Sequence, residues 1–272
     1  MEIIINKDSK VVVRMEGGLG AQILSAGIYF YLHNIIGCDV YLDSVYFTYH
    51  KEHKRPINNV NGLTLWPYQL DEFNLPLDGF KKFFDDERLS DYIVIGDENS
   101  DNGNLLIQAF KNKLIRSKLS NYKNPVQLEE IIFSGNYACL HIRQGDYLAV
   151  SSHLIEDDKI TKIARSIAGA TDKMVVISDG EIPVNISQVL RENFSNLNYL
   201  IGGDPISAHF IMRNAKYLVC ANSQFSLSAA LLNEVYSQIF MPNKWFGDHI
   251  DPLHQKRMSN IVSAFSSYSV IV

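Results

Sequence analysis

The chain has 272 residues, 46% of them hydrophobic, which is enough for one large domain or two smaller ones. Its formal net charge of −5 argues against nucleic acid as the main partner, because duplex binding needs a basic face. The chain starts without the features of a secretory signal, and no run approaches the roughly 20 apolar residues that cross a bilayer. We therefore expect a cytoplasmic protein, with peripheral membrane contact at most.

The first half of the chain begins with a β–loop–α–β pattern. Lys10–Met15 predicts a strand, Ala21–Ile36 an amphipathic helix with Gly37 as its C-cap, and Asp39–Asp43 a second strand. From residue 46 to about residue 125 the pattern weakens and predicts short helices and loops, with a strand near Tyr92–Ile95. This unit is typical of a parallel sheet.

The second half alternates more clearly. After a helix predicted at 126–133, strands are predicted at 137–142, 174–177, 198–201, 217–220 and 237–241, and helices at 157–168, 186–194, 205–214, 223–232 and 254–265. The alternation in both halves predicts an α/β fold of two Rossmann-like domains facing a cleft, 1–134 and 135–272. The polar C-terminal tail is a candidate to pack back on the chain.

Three cysteines are present, two of them within apolar, strand-like runs. An odd number of cysteines without a CxxC pair or a zinc array favours buried free thiols in a reducing compartment. We expect no bound metal.

The first candidate segment is the glycine-rich turn RMEGGLGAQ, residues 14–22, between a predicted strand and a predicted helix. Glycines let the backbone turn tightly and approach a ligand, and a helix N-terminus attracts an anion or a polar sugar. The spacing matches neither GxGxxG nor a Walker loop. An ordinary tight turn explains it equally well.

The second candidate segment is CLHIRQGDY, residues 139–147, where a buried strand ends in charged side chains. The Arg143 guanidinium is a planar fork of donors that fits phosphate oxygens. His141 lies on the same face of the strand. Asp146 is a candidate to hold Arg143 or to face an acceptor as a carboxylate. A surface Arg–Asp pair beside a core histidine is the alternative.

Two further segments follow predicted strands. In VCANSQFSLS, residues 219–228, Ser223 is placed to cap a helix whose first N–H groups suit phosphate oxygens, although an ordinary cap is commoner. In Ser178-Asp179-Gly180 the carboxylate is placed to accept hydrogen bonds from a guanine edge or a ribose, although Asp-Gly is also a common turn.

The order and spacing of these segments resemble glycosyltransferase family 11, the α-1,2-fucosyltransferases, within the wider fucosyltransferase superfamily. The family patterns are GGLGNQ, H-[IV]-R-R-G-D-Y and N-S-[ST]-F-S-W-W, beside GGLGAQ, HIRQGDY and NSQFSLS here. The resemblance implies a GT-B fold and an inverting, metal-independent enzyme. Its donor would be a GDP-sugar, normally GDP-β-L-fucose, and no other cofactor is expected. A glycan or lipid-linked glycan would be its acceptor.

Carried over by position, the resemblance also implies roles for individual residues. Arg143 would bind the β-phosphate and stabilise the leaving diphosphate, and His141 and Asp179 would contact the nucleoside. The other implied positions line the phosphate and base region or shape the loop of the first domain: Asn222, Ser223, Phe225, Ser226, Gly17, Gly18, Gly20 and Gln22.

The chain also departs from the family pattern. Ala21 replaces an asparagine, Gln144 replaces the second arginine, and Leu227 and Ser228 replace the tryptophan pair. The transferred sugar and the linkage therefore stay open. Asp146 and Glu16 are the candidate catalytic bases, since an acceptor hydroxyl needs a proton acceptor.

Two other functions are compatible with the sequence. The first is a non-catalytic sugar-nucleotide or glycan-binding protein on the same fold. The second is a nicotinamide-dependent enzyme that uses the glycine-rich turn, with Asp43 as the acidic residue after the second strand. The GGLG spacing fits the second poorly.

Overall fold

The computed structural model describes residues 4–48, 57–58, 64–83, 88–96, 103–121, 136–149, 153–233, 238–242, 252–265 and 268–271. The chain forms two compact units, 1–125 and 126–272. Both main sheets are parallel, which confirms the predicted α/β class. The boundary predicted near residue 134 and the helix predicted at 126–133 lie outside the described residues. The cleft between the domains stays a prediction.

The first unit is built on a three-stranded parallel sheet in the order β2-β1-β5. Its central strand buries three consecutive valines, Val11, Val12 and Val13. A separate antiparallel pair is formed by β3 and β4. The elements are β1 (Lys10–Arg14), α1 (Leu19–Tyr31), β2 (Asp39–Asp43), α2 (Val45–Thr48), β3 (Ile57–Asn58), β4 (Thr64–Leu65), β5 (Ile93–Ile95), α3 (Gly103–Lys111) and α4 (Lys113–Leu119).

Helix α1 differs from its prediction at both ends. It begins at Leu19, within the glycine-rich turn, and its last part continues as a π-helix, Leu32–Ile36. The π-helix arises because the Gly37 N–H donates to the carbonyl of Leu32, five residues earlier, at 2.9 Å. Gly37 ends the segment in the left-handed region, at φ 78°, as the predicted C-cap requires.

The second unit is a six-stranded parallel sheet in the order β11-β10-β9-β6-β7-β8. Its strands are β6 (Ala138–Ile142), β7 (Lys173–Ser178), β8 (Asn196–Ile201), β9 (Tyr217–Val219), β10 (Gln238–Pro242) and β11 (Tyr268–Ile271). Its helices are α5 (Asp157–Ala168), α6 (Val184–Asn193), α7 (Pro205–Asn214), α8 (Gln224–Leu232) and α9 (Pro252–Ala264). The sequence predicted all of these except β11.

The strand order of the second unit is that of a doubly wound α/β sheet. Numbered from β6, the strands run 3-2-1-4-5-6 across the sheet. The chain first builds outward from β6 to β8 and then restarts at β9 on the other side of β6. The point where the order reverses, between β6 and β9, is where sheets of this kind bind ligands.

The core of the second unit lies between this sheet and helices α5 and α6, and it is made of aliphatic side chains. Helix α5 turns Ile160, Ile163 and Ile167 inward, as its amphipathic pattern predicts. The three cysteines are buried free thiols, which confirms that prediction. Among the described residues no helix is long and apolar enough to cross a membrane.

Candidate functional site

Four polar residues predicted for the site lie at the carboxyl edge of the six-stranded sheet. Arg143 directly follows β6, Asp179 directly follows β7, and Asn222 and Ser223 follow β9. Because β6 is paired with both β7 and β9, the ends of these strands are neighbours. The structure thus brings these four residues to the point where the strand order reverses.

An ion pair holds the arginine in place. Arg143 Nη1 lies 2.8 Å from Asp179 Oδ2, and the guanidinium carbon lies 5.2 Å from the centre of the Tyr147 ring. The other carboxylate oxygen of Asp179 accepts a hydrogen bond from the backbone N–H of Gln144, at 2.7 Å. The Arg143 side chain is 20% exposed, so a ligand can reach it. Asp179 therefore orients Arg143 and the loop after it.

Two glycines permit this close approach of the loops after β6 and β7. A Cβ atom added to Gly145 would lie 2.5 Å from Asp179 Oδ2, and one added to Gly180 would lie 2.9 Å from Gln144 Cβ. Contacts this short force something to move. Gly145 and Gly180 thus leave room for the ion pair between Arg143 and Asp179. This role was not predicted from the sequence for either glycine.

His141 is buried rather than open to solvent. It is 4% exposed, and burial, followed by the charge of Arg143, lowers its pKa to about 3. Its ring packs edge-on against Phe225, with ring centroids 5.7 Å apart. Its Nδ1 atom is buried and has no hydrogen-bond partner among the described residues. The imidazole is therefore neutral, and it packs against the first turn of α8.

Helix α8 begins as predicted. Ser223 is its N-cap, and the Ser223 hydroxyl accepts a hydrogen bond from the N–H of Phe225 at 3.2 Å. Ser226 is fully buried, and its hydroxyl donates to the carbonyls of Ala221 and Ser223. Ser226 thus stabilises the turn through these hydrogen bonds and is not exposed to a ligand.

A chain of contacts links the loop after β6 with the loop after β9. The side-chain amide of Asn222 donates to the carbonyl of His153 at 3.4 Å. The His153 ring packs against Tyr147, with centroids 5.1 Å apart, and Tyr147 in turn packs against Arg143. Asn222 is almost fully buried, so its role is to hold these loops together. Neither Tyr147 nor His153 was singled out in the sequence.

Asp146 lies in a helical turn, Gly145–Ala149, directly after this arginine loop. Its side chain lies outside the described residues, so its pairing with Arg143 and its role as a base stay predictions. The partner of Arg143 that the structure does show is Asp179.

The glycine-rich turn of the first unit is held by a buried amide. The Gln22 side chain is fully buried, and its Nε2 donates to the carbonyls of Gly17 and Pro67 at 2.9 and 2.8 Å. Its Oε1 accepts from the backbone N–H of Gln69 at 2.8 Å. Gln22 thus holds the turn by tying it to a segment that lies about 45 residues further along the chain.

Two glycines of this turn are constrained, Gly17 by its backbone conformation and Gly18 by a neighbouring ring. Gly17 has φ +77°, a conformation that other residues adopt at a cost. A Cβ atom on Gly18 would lie 3.2 Å from the Trp66 ring, so that ring sits directly against the backbone of Gly18. Gly20 is buried in the first turn of α1. Trp66 gave no signal in the sequence beyond its aromatic character.

Glu16, the other candidate base, is exposed beside this turn. The Tyr46 hydroxyl accepts from the backbone N–H of Trp66 at 2.9 Å. Burial raises the pKa of Tyr46, and the charge of Glu16 adds to the rise. The role of Glu16 as a base stays a prediction. Among the described residues no group of three or more His, Cys, Asp or Glu side chains could hold a metal ion.

No protein-family model matches the chain, and no curated protein matches it. Three solved structures illustrate its likeness to known folds. The fucosyltransferase NodZ from Bradyrhizobium is 14% identical, with 83% of this chain and 92% of that chain covered and a TM-score of 0.40. The E. coli heptosyltransferase WaaC with ADP is 10% identical, with 96% and 92% covered and a TM-score of 0.41. POFUT1 in complex with GDP-fucose is 12% identical, with 84% and 94% covered and a TM-score of 0.41. All three likenesses are distant.

Proposed function

We propose that this chain is a glycosyltransferase that binds a nucleoside diphosphate-sugar at the carboxyl edge of its six-stranded sheet and moves the sugar to a glycan acceptor. One observation carries the proposal. Arg143, anchored by Asp179, and the capped start of helix α8 flank the point where the strand order reverses. A cation and a helix N-terminus on either side of such a point suit a diphosphate.

The chemistry of glycosyl transfer fits this arrangement. As the bond to the sugar breaks, negative charge grows on the leaving diphosphate, and donors fixed in advance stabilise it best. Arg143 is fixed by a carboxylate and an aromatic ring, and its fork of N–H donors matches phosphate oxygens. Helix α8 adds its positive end. These residues absorb the charge that a metal ion absorbs in other transferases, so we propose a metal-independent reaction.

The motif resemblance supports GDP-β-L-fucose as the first donor to test, with α-1,2 transfer and inversion at the anomeric carbon. Ala21 and Gln144 depart from the family pattern, so a different sugar or linkage belongs in the same test. The acceptor we propose is a surface-polysaccharide or lipid-linked glycan intermediate. Asp146 and Glu16 are the candidate bases for its hydroxyl group.

The test is a panel of nucleoside diphosphates and their sugars, including the GDP, UDP and ADP series. Binding is measured by calorimetry, and turnover by release of the nucleoside diphosphate, with and without EDTA. We expect GDP to bind, and Arg143→Ala to weaken GDP binding by about a hundredfold. Arg165→Ala, an exposed arginine on α5, is the matched control and should bind GDP like the wild type.

Three outcomes contradict parts of the proposal. If no nucleoside diphosphate binds the wild type, the site is wrong. If GDP binds but no sugar is released to water or to any acceptor, the chain is a non-catalytic sugar-nucleotide-binding protein. If EDTA abolishes turnover, the reaction needs a metal ion.

A further inference from the structure

Helix α8 carries a ring that packs against two buried histidines. Phe225 lies in its first turn, and the ring centroids of His141 and His209 each lie 5.7 Å from the centroid of its ring. His209 comes from the neighbouring helix α7 and is completely buried. Phe225 itself is only partly buried, whereas the two histidines that pack against its ring are both buried.

His209 is joined to the same turn by a hydrogen bond whose direction can be deduced. The imidazole Nε2 lies 3.1 Å from the hydroxyl of Ser228. That hydroxyl donates its proton to the carbonyl of Phe225, at 2.9 Å. Because the Ser228 proton is directed at that carbonyl, we assign Ser228 as the acceptor for the imidazole, and His209 as the tautomer with its proton on Nε2.

The protonation state of His209 agrees with this direction. Burial, followed by the charge of Arg213, lowers the pKa of His209 to about 3. The imidazole is therefore neutral at physiological pH and has one N–H donor. A neutral donor in a dry environment holds a single acceptor with a fixed geometry.

We propose that His209 is a positioning residue for the donor site, which fixes the first turn of α8 through Ser228 and the Phe225 ring through direct contact. The inference rests on the proposed function, because the donor is what meets that turn. An apolar residue could fill the same space without needing a hydrogen-bond partner. The hydrogen bond from the imidazole to Ser228 additionally fixes the orientation of the first turn of α8.

Four variants test this role. His209→Leu removes the donor and keeps an apolar side chain. His209→Gln returns an N–H donor at a similar reach. Ser228→Ala removes the acceptor. Tyr137→Phe is the matched control, because the Tyr137 hydroxyl is buried and donates to the carbonyl of Ile211 on the same helix α7, but Tyr137 precedes β6 and so lies at the opposite edge of the sheet.

The measurements are the dissociation constant of GDP, the KM and kcat for the GDP-sugar, and the melting temperature. We expect His209→Leu and Ser228→Ala each to raise the dissociation constant and the KM about tenfold, with kcat changed about twofold at most. His209→Gln should recover most of the affinity. The double variant should be no weaker than the worse single variant, because both break one network. Tyr137→Phe should lower the melting temperature and keep GDP affinity.

The failures are distinguishable. If His209→Leu melts earlier but binds GDP like the wild type, His209 only packs, and this inference is wrong while the proposed function stands. If Tyr137→Phe weakens GDP binding as much as His209→Leu, general loosening of the unit explains both, and the inference is again wrong. If the wild type binds no nucleoside diphosphate, the proposed function fails and the positioning role fails with it.

Discussion

The glycine-rich turn of the first unit and the arginine loop of the second are both strand-to-helix junctions, yet they are stabilised in different ways. In the first unit a buried amide, Gln22, binds three backbone groups, and Trp66 covers Gly18. In the second unit charged side chains hold each other, with Arg143 on Asp179. One junction presents packed backbone, and the other presents an oriented cation.

This difference indicates which junction binds the anion. A turn whose glycine is covered by an aromatic ring has its backbone committed to packing, which also weakens the nicotinamide alternative for residues 17–20. An arginine kept by a carboxylate at the sheet edge is fixed yet reachable. Substitutions should therefore act on stability at the first junction and on binding at the second. The predictions below test that division, from the largest effect to the smallest.

The largest effect we expect is acid destabilisation of the second unit, by several kcal/mol between about pH 7 and about pH 4. His141 and His209 both have pKa values of about 3, lowered by burial and by nearby arginines. Once the pH falls below about 6.5, the unfolded chain takes up protons on these histidines, whereas the folded chain does not until about pH 3. Their contribution to stability is therefore complete above pH 6.5 and decreases as the pH falls.

At each of the two pH values, the chain is incubated at a series of urea concentrations and digested briefly with a protease. Peptide mapping of the products then reports the unfolding of each unit separately. The two histidines contribute about equally to the acid sensitivity. His209→Leu should therefore remove about half of their joint contribution. Equal acid sensitivity in His209→Leu and the wild type would contradict the assignment.

The second effect is loss of stability in the first unit by Gln22→Met. Methionine has a similar length but makes none of the three hydrogen bonds, so the buried carbonyl of Pro67 and the partly buried carbonyl of Gly17 lose their donor and the N–H of Gln69 loses its acceptor. Each unsatisfied buried group costs about 1–3 kcal/mol, and we expect a total of about 3 kcal/mol. The measurement is urea denaturation of the first unit. Gln108→Met on the exposed side of α3 is the control and should change stability by about 0.5 kcal/mol at most.

The third effect is on binding, from Gly145→Ala. The added methyl group would lie 2.5 Å from Asp179 Oδ2, so the carboxylate and the arginine that it orients must move. We expect GDP binding to weaken about tenfold without loss of fold, because Gly145 is exposed. Gly169→Ala has no atom near its added methyl group and should bind GDP normally. Wild-type affinity in Gly145→Ala would show that the ion pair does not set the geometry for binding.

Local patterns in the sequence were sufficient for most of the fold. Helix α5 and the Asp204-capped α7 occupy the residues predicted for them, because their periodicity and capping are local properties. The π-helical end of α1 was missed because it depends on one hydrogen bond from Gly37. Strand β11 was missed because its pairing with β10 is a tertiary contact that follows a polar segment.

The site was predicted less completely than the fold. Arg143 and Ser223 could be chosen as candidates because each is a polar residue that follows a predicted strand. Asp146, in the same motif as Arg143, was one candidate to hold that arginine and stays a prediction, whereas the ion pair that the structure shows is with Asp179, 36 residues further along the chain. Such a pairing depends on the adjacency of β6 and β7, which sequence spacing does not encode. His209 gave no signal, because one histidine on an amphipathic helix resembles any core residue.

The smallest effect we expect is that of Asp179→Asn, because two consequences oppose each other. The carboxylate orients Arg143 and the Gln144 N–H, and losing that orientation weakens binding. The same carboxylate also competes with a diphosphate for the guanidinium, and removing its charge strengthens binding. We expect a net loss of about threefold in GDP affinity, and a steeper dependence of binding on ionic strength because the cation is no longer compensated. Calorimetric titration with GDP at low and high salt measures both quantities. Tighter binding than the wild type at both salt concentrations would mean that Asp179 acts mainly as a competitor, and that the oriented cation of the second unit owes its geometry to Tyr147 and the sheet edge instead.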